Sequence, residues 1–203
     1  MKKTLSALLC LLFIFSFCAC KNGSENTADA LLVRGESSEG IYKNSFAKLT
    51  FKAPKNWSFA TSTDLLANTE HAGKLLDTER LNEIFVEIGL AYDMTCYSDD
   101  GVHSVGLLFA NTNHEQFKEY SSTEELLRAM IEQTGLDTSE GITKEEVTLC
   151  GESYLRLCVK TKTGTGDTGY ATFYGRSEGS ATVIIVAACT DDFTVSDCEA
   201  CFA

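Results

Sequence analysis

GYATFYGRSEGSATVIIVAACT, from Gly169 to Thr190, contains two runs of β-branched and aromatic residues on either side of a Gly-Ser pair. Such side chains fit the half-buried surface of a pleated sheet, so each run is predicted to be a strand. Strands joined by a tight turn pair as antiparallel neighbours. The stretch therefore predicts part of an antiparallel sheet.

Earlier runs of the same kind extend this sheet. ITKEEVTLCG (Ile142–Gly151) and SYLRLCVKTKT (Ser153–Thr163) each predict a further long strand. AYDMTCYSDDGVHSVGLLFANT (Ala91–Thr112) predicts a hairpin, because Asp100-Gly101 supplies a favoured turn pair between two apolar runs.

A pair of shorter strands is predicted in GIYKNSFAKLTFKAP, residues 40–54. Ala47, Leu49 and Phe51 alternate with polar residues, which is the period of a half-buried strand. Pro54 ends the pairing because it has no amide hydrogen to donate.

The strongest helix signal lies in SSTEELLRAMIEQTG, residues 121–135. Ser122 is the predicted N-cap, Glu125 completes a capping box, and Gly135 ends the helix. The apolar residues fall on one stripe, as expected of a helix that covers a sheet: Leu126, Leu127, Met130 and Ile131.

Three weaker helix signals complete the pattern. LLDTERLNEIFVEIGL (Leu75–Leu90) has helical periodicity, Thr61 and Asp64 have capping-box spacing, and a short closing helix is predicted from about Thr194 to Phe202. Because the helices lie in separate blocks and the long strands are joined by tight turns, the predicted class is α+β: an antiparallel sheet flanked by helices.

The N-terminal segment has the outline of an export signal. Two lysines precede an apolar run from Leu5 to Phe17 that is too short to span a bilayer. Ala19 followed directly by Cys20 resembles the lipobox of bacterial lipoproteins, which implies cleavage before Cys20 and its lipidation. An ordinary cleaved signal followed by an incidental cysteine is the alternative interpretation.

The predicted organisation has three parts. Residues 1–19 are a lipoprotein signal peptide, residues 20–39 are the lipidated cysteine and a flexible polar tether, and residues 40–203 are a single α+β domain. The expected location is the extracytoplasmic face of the cell membrane.

Charge excludes one class of partner. The chain has 17 Lys and Arg against 29 Asp and Glu, a formal net charge of -12. Such a surface repels phosphate backbones and anionic head groups, so no nucleic-acid partner is predicted. Membrane attachment is then expected to rest on acyl chains at Cys20 and not on a basic patch.

A family resemblance follows from the same segments. GIYKNSFAKLTFKAPKNWSF, the YDMTCYSDDGVHSVGLLFANTN hairpin, the STEELLRAM helix and the last four strands with their helix resemble a group of uncharacterised bacterial lipoproteins. These in turn resemble the PsbP/Mog1-type α/β/α sandwich. The resemblance implies an antiparallel sheet flanked by helices, and it brings no activity with it.

The pair in CEAC, Cys198 and Cys201, is the main candidate for thiol chemistry. A C-x-x-C pair suits a redox dithiol or half of a metal site, and a first-turn position would favour the thiolate. Helical spacing with Val195 and Phe202 indicates apolar packing instead, which is the favoured interpretation. Six domain cysteines permit fifteen disulfide connectivities, with buried free thiols slightly preferred: Cys96, Cys150, Cys158, Cys189, Cys198 and Cys201.

Other local motifs point to turns and surface positions. GTGDTG, residues 164–169, has the spacing of a phosphate-binding loop, but it joins two predicted strands and is interpreted as a hairpin loop. SDDG is interpreted as a turn and not as a calcium loop. His71, His103 and His114 are scattered, and each is predicted to be a surface residue.

Aromatic residues are the remaining candidates for recognition. Trp57 is predicted to fill the core beside Phe51 and Phe59, with a rim contact for a partner as the alternative. The same two interpretations apply to Tyr170, Phe173 and Tyr174.

The sequence therefore predicts a non-enzymatic, membrane-tethered binding or accessory module, with no catalytic residue, cofactor or metal ligand assigned. Its expected partner is an envelope protein or a wall component. The alternative is a thiol-redox or metal-binding protein that uses Cys198 and Cys201.

Overall fold

A seven-stranded antiparallel sheet forms the centre of the protein, and a three-stranded sheet lies beside it. The computed structural model of the chain describes residues 31–60, 77–162 and 166–203. The strands in chain order are β1 (Glu36–Ser38), β2 (Ile41–Asn44), β3 (Leu49–Lys52), β4 (Trp57–Phe59), β5 (Leu90–Ser98), β6 (Ser104–Asn111), β7 (Ile142–Leu149), β8 (Glu152–Lys162), β9 (Thr168–Glu178) and β10 (Ala181–Thr190). The helices are α1 (Thr78–Glu87), α2 (Thr123–Thr134) and α3 (Val195–Glu199).

The strand order confirms the predicted class. The large sheet runs β4-β5-β6-β10-β9-β8-β7 and the small one β1-β2-β3, with every pair antiparallel. β9 and β10 pair along the stretch from which the sheet was predicted, and Gly179 takes the left-handed conformation (φ 62°) that their turn requires. β10 is buried along its whole length, as befits a central strand.

Both faces of the large sheet are covered by apolar layers. On one face the stripe of α2 shares an apolar cluster with residues of β6, β8, β9 and β10. On the other face the cluster includes Tyr42 and Phe51 of the small sheet, Phe85 of α1 and Cys198 of α3. The flanking layers are thus α2 on one side, and α1, α3 and the small sheet on the other.

The two ends of α2 lie where the sequence predicts them, but one residue of the predicted capping box differs. The Ser122 side chain accepts a hydrogen bond from the Glu125 backbone nitrogen at 3.2 Å, and Gly135 takes φ 67° at the C-cap. The Glu125 carboxylate accepts from both the backbone nitrogen and the hydroxyl of Ser121, each at 2.8 Å. The reciprocal bond of the predicted capping box therefore comes from Ser121 and not from Ser122.

A glycine on β9 lets α2 approach the sheet closely. A Cβ atom at Gly175 would lie 2.5 Å from Cγ2 of Thr123 and 3.0 Å from Cδ1 of Leu127. Since such distances are shorter than van der Waals contact, a side chain at this position would push the helix outward.

The folded region begins earlier than the predicted boundary at residue 40. β1 lies within the predicted tether, and Leu32 is fully buried in the core. The Asn82 side chain accepts from the Leu32 backbone nitrogen at 2.8 Å and donates to its carbonyl at 2.9 Å. These bonds attach the N-terminal segment to α1.

The last helix is shorter than the predicted span from Thr194 to Phe202. α3 covers five residues and is capped by a full capping box between Thr194 and Asp197. Phe202 follows the helix and forms an isolated antiparallel bridge with Phe51. Arg156 of β8 donates to the Glu199 carboxylate at 2.6 Å and so holds α3 on the sheet.

The two edges of the large sheet differ from its centre. β4 has three residues, whereas β7 is long but exposes four consecutive positions, Thr143–Glu146, three of them charged. Within the described part of the chain no helix has the length and apolar character needed to cross a membrane. Cys20, the helix predicted at Thr61 and Asp64, and His71 lie outside the described residues.

Candidate functional site

Three rings from separate segments meet at one end of the large sheet. Trp57 and His103 are stacked, with ring centroids 6.1 Å apart and an interplanar angle of 6°. Phe193 lies against both, with centroid distances of 5.0 Å to Trp57 and 5.4 Å to His103. All three side chains are half-buried, so each leaves part of its surface open to solvent. We call these residues the aromatic cluster.

Local hydrogen bonds place each ring. Trp57 begins β4 and pairs with Ser98 of β5. His103 follows the β5–β6 turn, where its backbone nitrogen donates to the Ser98 hydroxyl at 3.0 Å. The Phe193 carbonyl accepts from the Thr190 backbone nitrogen at 3.1 Å, which fixes the loop between β10 and α3.

Four exposed acids lie beside the aromatic cluster, in the β5–β6 turn and in the loop after β10: Asp99, Asp100, Asp191 and Asp192. The Asp99 backbone nitrogen donates to the carbonyl of Asn56, next to Trp57, at 3.0 Å. Asp100 and Asp192 both interact electrostatically with the His103 ring. The Tyr170 hydroxyl donates to Asp191 at 3.3 Å. We call these four residues the acidic rim.

Burial changes the proton affinity of His103. It lowers the pKa of the imidazole, because the charged form is poorly solvated among the rings, while Asp100 and Asp192 act in the opposite direction. Among the described residues, the buried Nδ1 atom has no hydrogen-bond partner. The neutral ring is therefore the form that fits the stack.

A pH dependence of stability follows from the lowered pKa of His103. Below its ordinary pKa of about 6.5, the unfolded chain takes up the proton before the folded one, so stability falls as pH decreases. We expect the free energy of unfolding to fall less steeply from pH 7 to pH 5 in a His103→Gln variant than in the wild type. Urea unfolding across this range measures the difference, and parallel curves would contradict it.

The structure refines the predictions for Trp57 and His103 and agrees with the core interpretation for Phe173 and Tyr174. Trp57 is half-buried: it packs against the edge of the core cluster and also on His103 and Phe193. His103 is half-buried and not a fully exposed surface residue, because it belongs to the aromatic cluster. Phe173 and Tyr174 are buried on opposite faces of the sheet, which leaves Tyr170 as the accessible ring of β9.

Cys198 and Cys201 lie in a packed environment. Cys198 is fully buried, and Cys201 is half-buried with its thiol donating to the Asp197 carbonyl at 3.3 Å. Contact with Cys189 and burial raise the pKa of Cys198, and burial raises the pKa of Cys201. The thiolate expected from a first-turn position is therefore disfavoured. All six cysteines of the described residues are free thiols.

The remaining motifs occupy turns. Residues 98–101 form the β5–β6 turn, in which Asp100 accepts from the Ser98 hydroxyl at 2.5 Å and from the Val102 backbone nitrogen at 3.0 Å. GTGDTG joins β8 and β9, although residues 163–165 lie outside the described chain. Within the described ranges, no three His, Cys, Asp or Glu side chains are placed to hold a metal ion together.

A buried polar network was missed by the sequence prediction. The Asp93 side chain is fully buried and accepts hydrogen bonds from the Tyr42 hydroxyl, from Asn44 Nδ2 at 2.7 Å and from the Gly35 backbone nitrogen at 3.0 Å. The Arg34 guanidinium lies 3.8 Å from the same carboxylate. We call this the Asp93 network. It ties the N-terminal segment and β2 to the large sheet.

Comparison with known proteins finds likeness in solved structures alone. No protein-family model and no curated protein matches the chain. A crystal structure of a protein from Bacteroides thetaiotaomicron VPI-5482 matches with a TM-score of 0.42 at 9% identity, covering 83% of this chain and 46% of the other, so this chain spans less than half of that protein. The solution structure of cyanobacterial PsbP (CyanoP) from Synechocystis sp. PCC 6803 matches with a TM-score of 0.39 at 12% identity, covering 84% of this chain and 88% of the other. Neither likeness assigns a role to a residue of this chain.

Proposed function

We propose that this protein is a membrane-anchored extracytoplasmic lipoprotein and a non-enzymatic accessory module, which binds a basic segment of an envelope protein at the aromatic cluster. The observation that carries the binding role is a set of half-exposed rings from three segments beside four exposed acids.

The chemistry of the partner follows from this surface. Tryptophan and other aromatic residues at the centre of an interface supply most of its binding energy. Lysine and arginine bind favourably over an aromatic face, and carboxylates around the ring attract the same cations. A basic peptide segment thus complements both the rings and the acidic rim, whereas an anionic partner would be repelled.

The anchoring part of the proposal rests on the sequence around Cys20. An acylated cysteine at the start of the chain would confine the domain to the membrane surface. Confinement raises the effective concentration of the domain near other proteins of that surface, so a modest intrinsic affinity suffices.

The geometry of His103 favours binding over catalysis. In a catalytic pair the imidazole is normally oriented by a hydrogen bond to one of its nitrogens. Here Nδ1 lacks a partner among the described residues, and the ring is held by stacking on Trp57. Such a ring suits a recognition surface.

Removal of the central ring tests the proposed function. We expect a Trp57→Ala variant to recover about 10-fold less partner than the wild type in crosslinking and pull-down from intact membranes, because a central aromatic residue is lost. Higher salt is expected to weaken the wild-type capture, since the acidic rim contributes through screened charges.

Tyr120→Ala is the matched control. Tyr120 is also half-buried, but it packs with the cluster under α2 on the opposite face of the sheet, so its removal should leave capture unchanged. Equal losses in the two variants would indicate general destabilisation. Capture of wall glycan instead of protein, or a substrate-dependent activity lost with one polar residue of this surface, would contradict the proposal.

A further inference from the structure

His103 is the ionisable ring of the aromatic cluster, and it lies beside acids from two segments. In the β5–β6 turn, the Ser98 hydroxyl donates to the Asp100 carboxylate at 2.5 Å and accepts from the His103 backbone nitrogen at 3.0 Å. In the loop after β10, Asp192 directly precedes Phe193, whose ring centroid is 5.4 Å from that of His103. A positive charge on His103 would therefore lie next to the acids that we expect to attract a basic segment.

We propose that the aromatic cluster is a pH-dependent binding surface, on which a proton held by His103 and the cation of a bound basic segment exclude each other. The inference rests on the proposed binding function and adds its regulation. The partner is held near neutral pH and released as the surroundings become acidic. The proton comes from solvent, and no other bond is made or broken.

Protonation of His103 changes what the surface offers to a cation. The charged imidazole would bind over the same aromatic faces that a lysine or arginine of the partner needs. Its charge would also offset one of the four carboxylates of the acidic rim. Both effects weaken the attraction of a basic segment, because like charges placed together in an interface repel.

The hydrogen bonding of His103 gives the proton a structural effect as well. An imidazolium carries a hydrogen on both ring nitrogens. The Nδ1 atom is buried and has no hydrogen-bond partner among the described residues, so a hydrogen there has no acceptor while the ring stays stacked on Trp57. The charged ring is stabilised by turning toward the Asp100 or Asp192 carboxylate, which breaks up the stack.

The surroundings of His103 set the direction of the pH dependence. Burial lowers the pKa of the imidazole and outweighs Asp100 and Asp192, so the free protein takes up the proton below the ordinary histidine value of about 6.5. A bound cation disfavours the proton further, since the coupling is reciprocal. The affinity for a basic segment therefore falls as the pH drops below about 6.5.

The other charged groups beside the ring are aspartates and a lysine. Aspartic acid ordinarily titrates near about pH 4 and lysine near about pH 10. The charged residues of the three segments packed together here are Asp99 and Asp100 in the β5–β6 turn, Asp191 and Asp192 in the loop after β10, and Lys55 before β4. A response between about pH 7.5 and 5.0 is therefore expected to come from His103.

The first measurement needs no ligand, because Trp57 is the only tryptophan of the chain and is stacked on His103. The emission of an indole responds to the charge and distance of a ring stacked on it. We expect the fluorescence of the full chain to change as the pH is lowered, with a midpoint below about 6.5. His103→Gln should lose this transition. His114→Gln, which removes a histidine beyond the opposite end of β6, should keep it.

The second measurement is calorimetric titration of the full chain with a tetralysine peptide at fixed ionic strength. We expect the dissociation constant of the wild type to be at least about threefold higher at pH 5.0 than at pH 7.5, because a proton that must leave before binding lowers the apparent affinity by up to about tenfold per pH unit below its pKa. His114→Gln should behave in the same way. His103→Gln should give a flat profile, whatever its affinity at pH 7.5.

The outcomes separate the regulation from the binding function. Failure of tetralysine to bind at pH 7.5 would overturn the proposed function and the inference with it. Binding that is equally strong at pH 5.0, or that weakens equally in His103→Gln, would overturn the inference and leave the binding role intact. A wild type without a fluorescence transition between pH 7.5 and 5.0 would also overturn it, and this result does not depend on the folding of any variant.

Discussion

Replacing Asp93 with alanine is expected to lower the free energy of unfolding by about 3–5 kcal/mol. The substitution removes the acceptor of the Tyr42 hydroxyl, of one Asn44 amide hydrogen and of the Gly35 backbone nitrogen. It also removes the carboxylate that faces Arg34. Urea unfolding at pH 7 measures the loss.

Two further variants make the Asp93 test specific. Asp93→Asn keeps one acceptor oxygen and should lose less than Asp93→Ala. Glu119→Ala removes an exposed carboxylate and should change the free energy of unfolding by less than about 0.5 kcal/mol. A change in Asp93→Ala as small as that in Glu119→Ala would show that the Asp93 network does not hold the N-terminal segment.

A Cys20→Ala variant is expected to lose membrane attachment almost completely. A thioether-linked lipid requires the cysteine sulfur, and stable anchoring requires more than one acyl chain. The measurement is the distribution of the protein between membrane and soluble fractions, with mass spectrometry of the mature N-terminus of the wild type.

Cys18→Ala is the matched control for the anchor. It removes a neighbouring thiol but leaves the predicted modification site intact, so the protein should remain in the membrane fraction. Detection of an unmodified N-terminus at a position other than Cys20 in the wild type would refute the lipoprotein prediction.

The parts of the fold that follow from the sequence are those with local causes. The stretch 169–190 becomes β9 and β10, and α2 begins after Ser122 and ends at Gly135 as its caps predict. Alternation, turn residues and caps act over a few residues, so a single sequence records them.

The Asp93 network depends on a non-local irregularity. The pairing of β5 with β6 shifts between Tyr92 and Met94. This bulge places Asp93 on the same face of the large sheet as Met94. One acid inside the apolar run LAYDMTCYS was the available signal of a buried polar site. The groups that donate hydrogen bonds to Asp93 lie about 50 residues earlier in the chain, partly in the segment that the sequence predicts to be a tether.

The aromatic cluster could not be predicted from the sequence for a similar reason. Trp57, His103 and Phe193 are separated by 46 and 90 residues, and they meet because β4 and the loop after β10 lie at the same end of the sheet as the β5–β6 turn. Sequence spacing does not encode that meeting.

The two edge strands of the large sheet affect how the protein behaves at high local concentration. An open strand edge is a template on which a second chain can add, and natural proteins block it with short strands or charges. β4 offers three residues, and β7 presents Lys144, Glu145 and Glu146 along its exposed stretch. Edge-to-edge aggregation is therefore disfavoured at both ends, so many copies can be packed side by side without forming continuous intermolecular sheets.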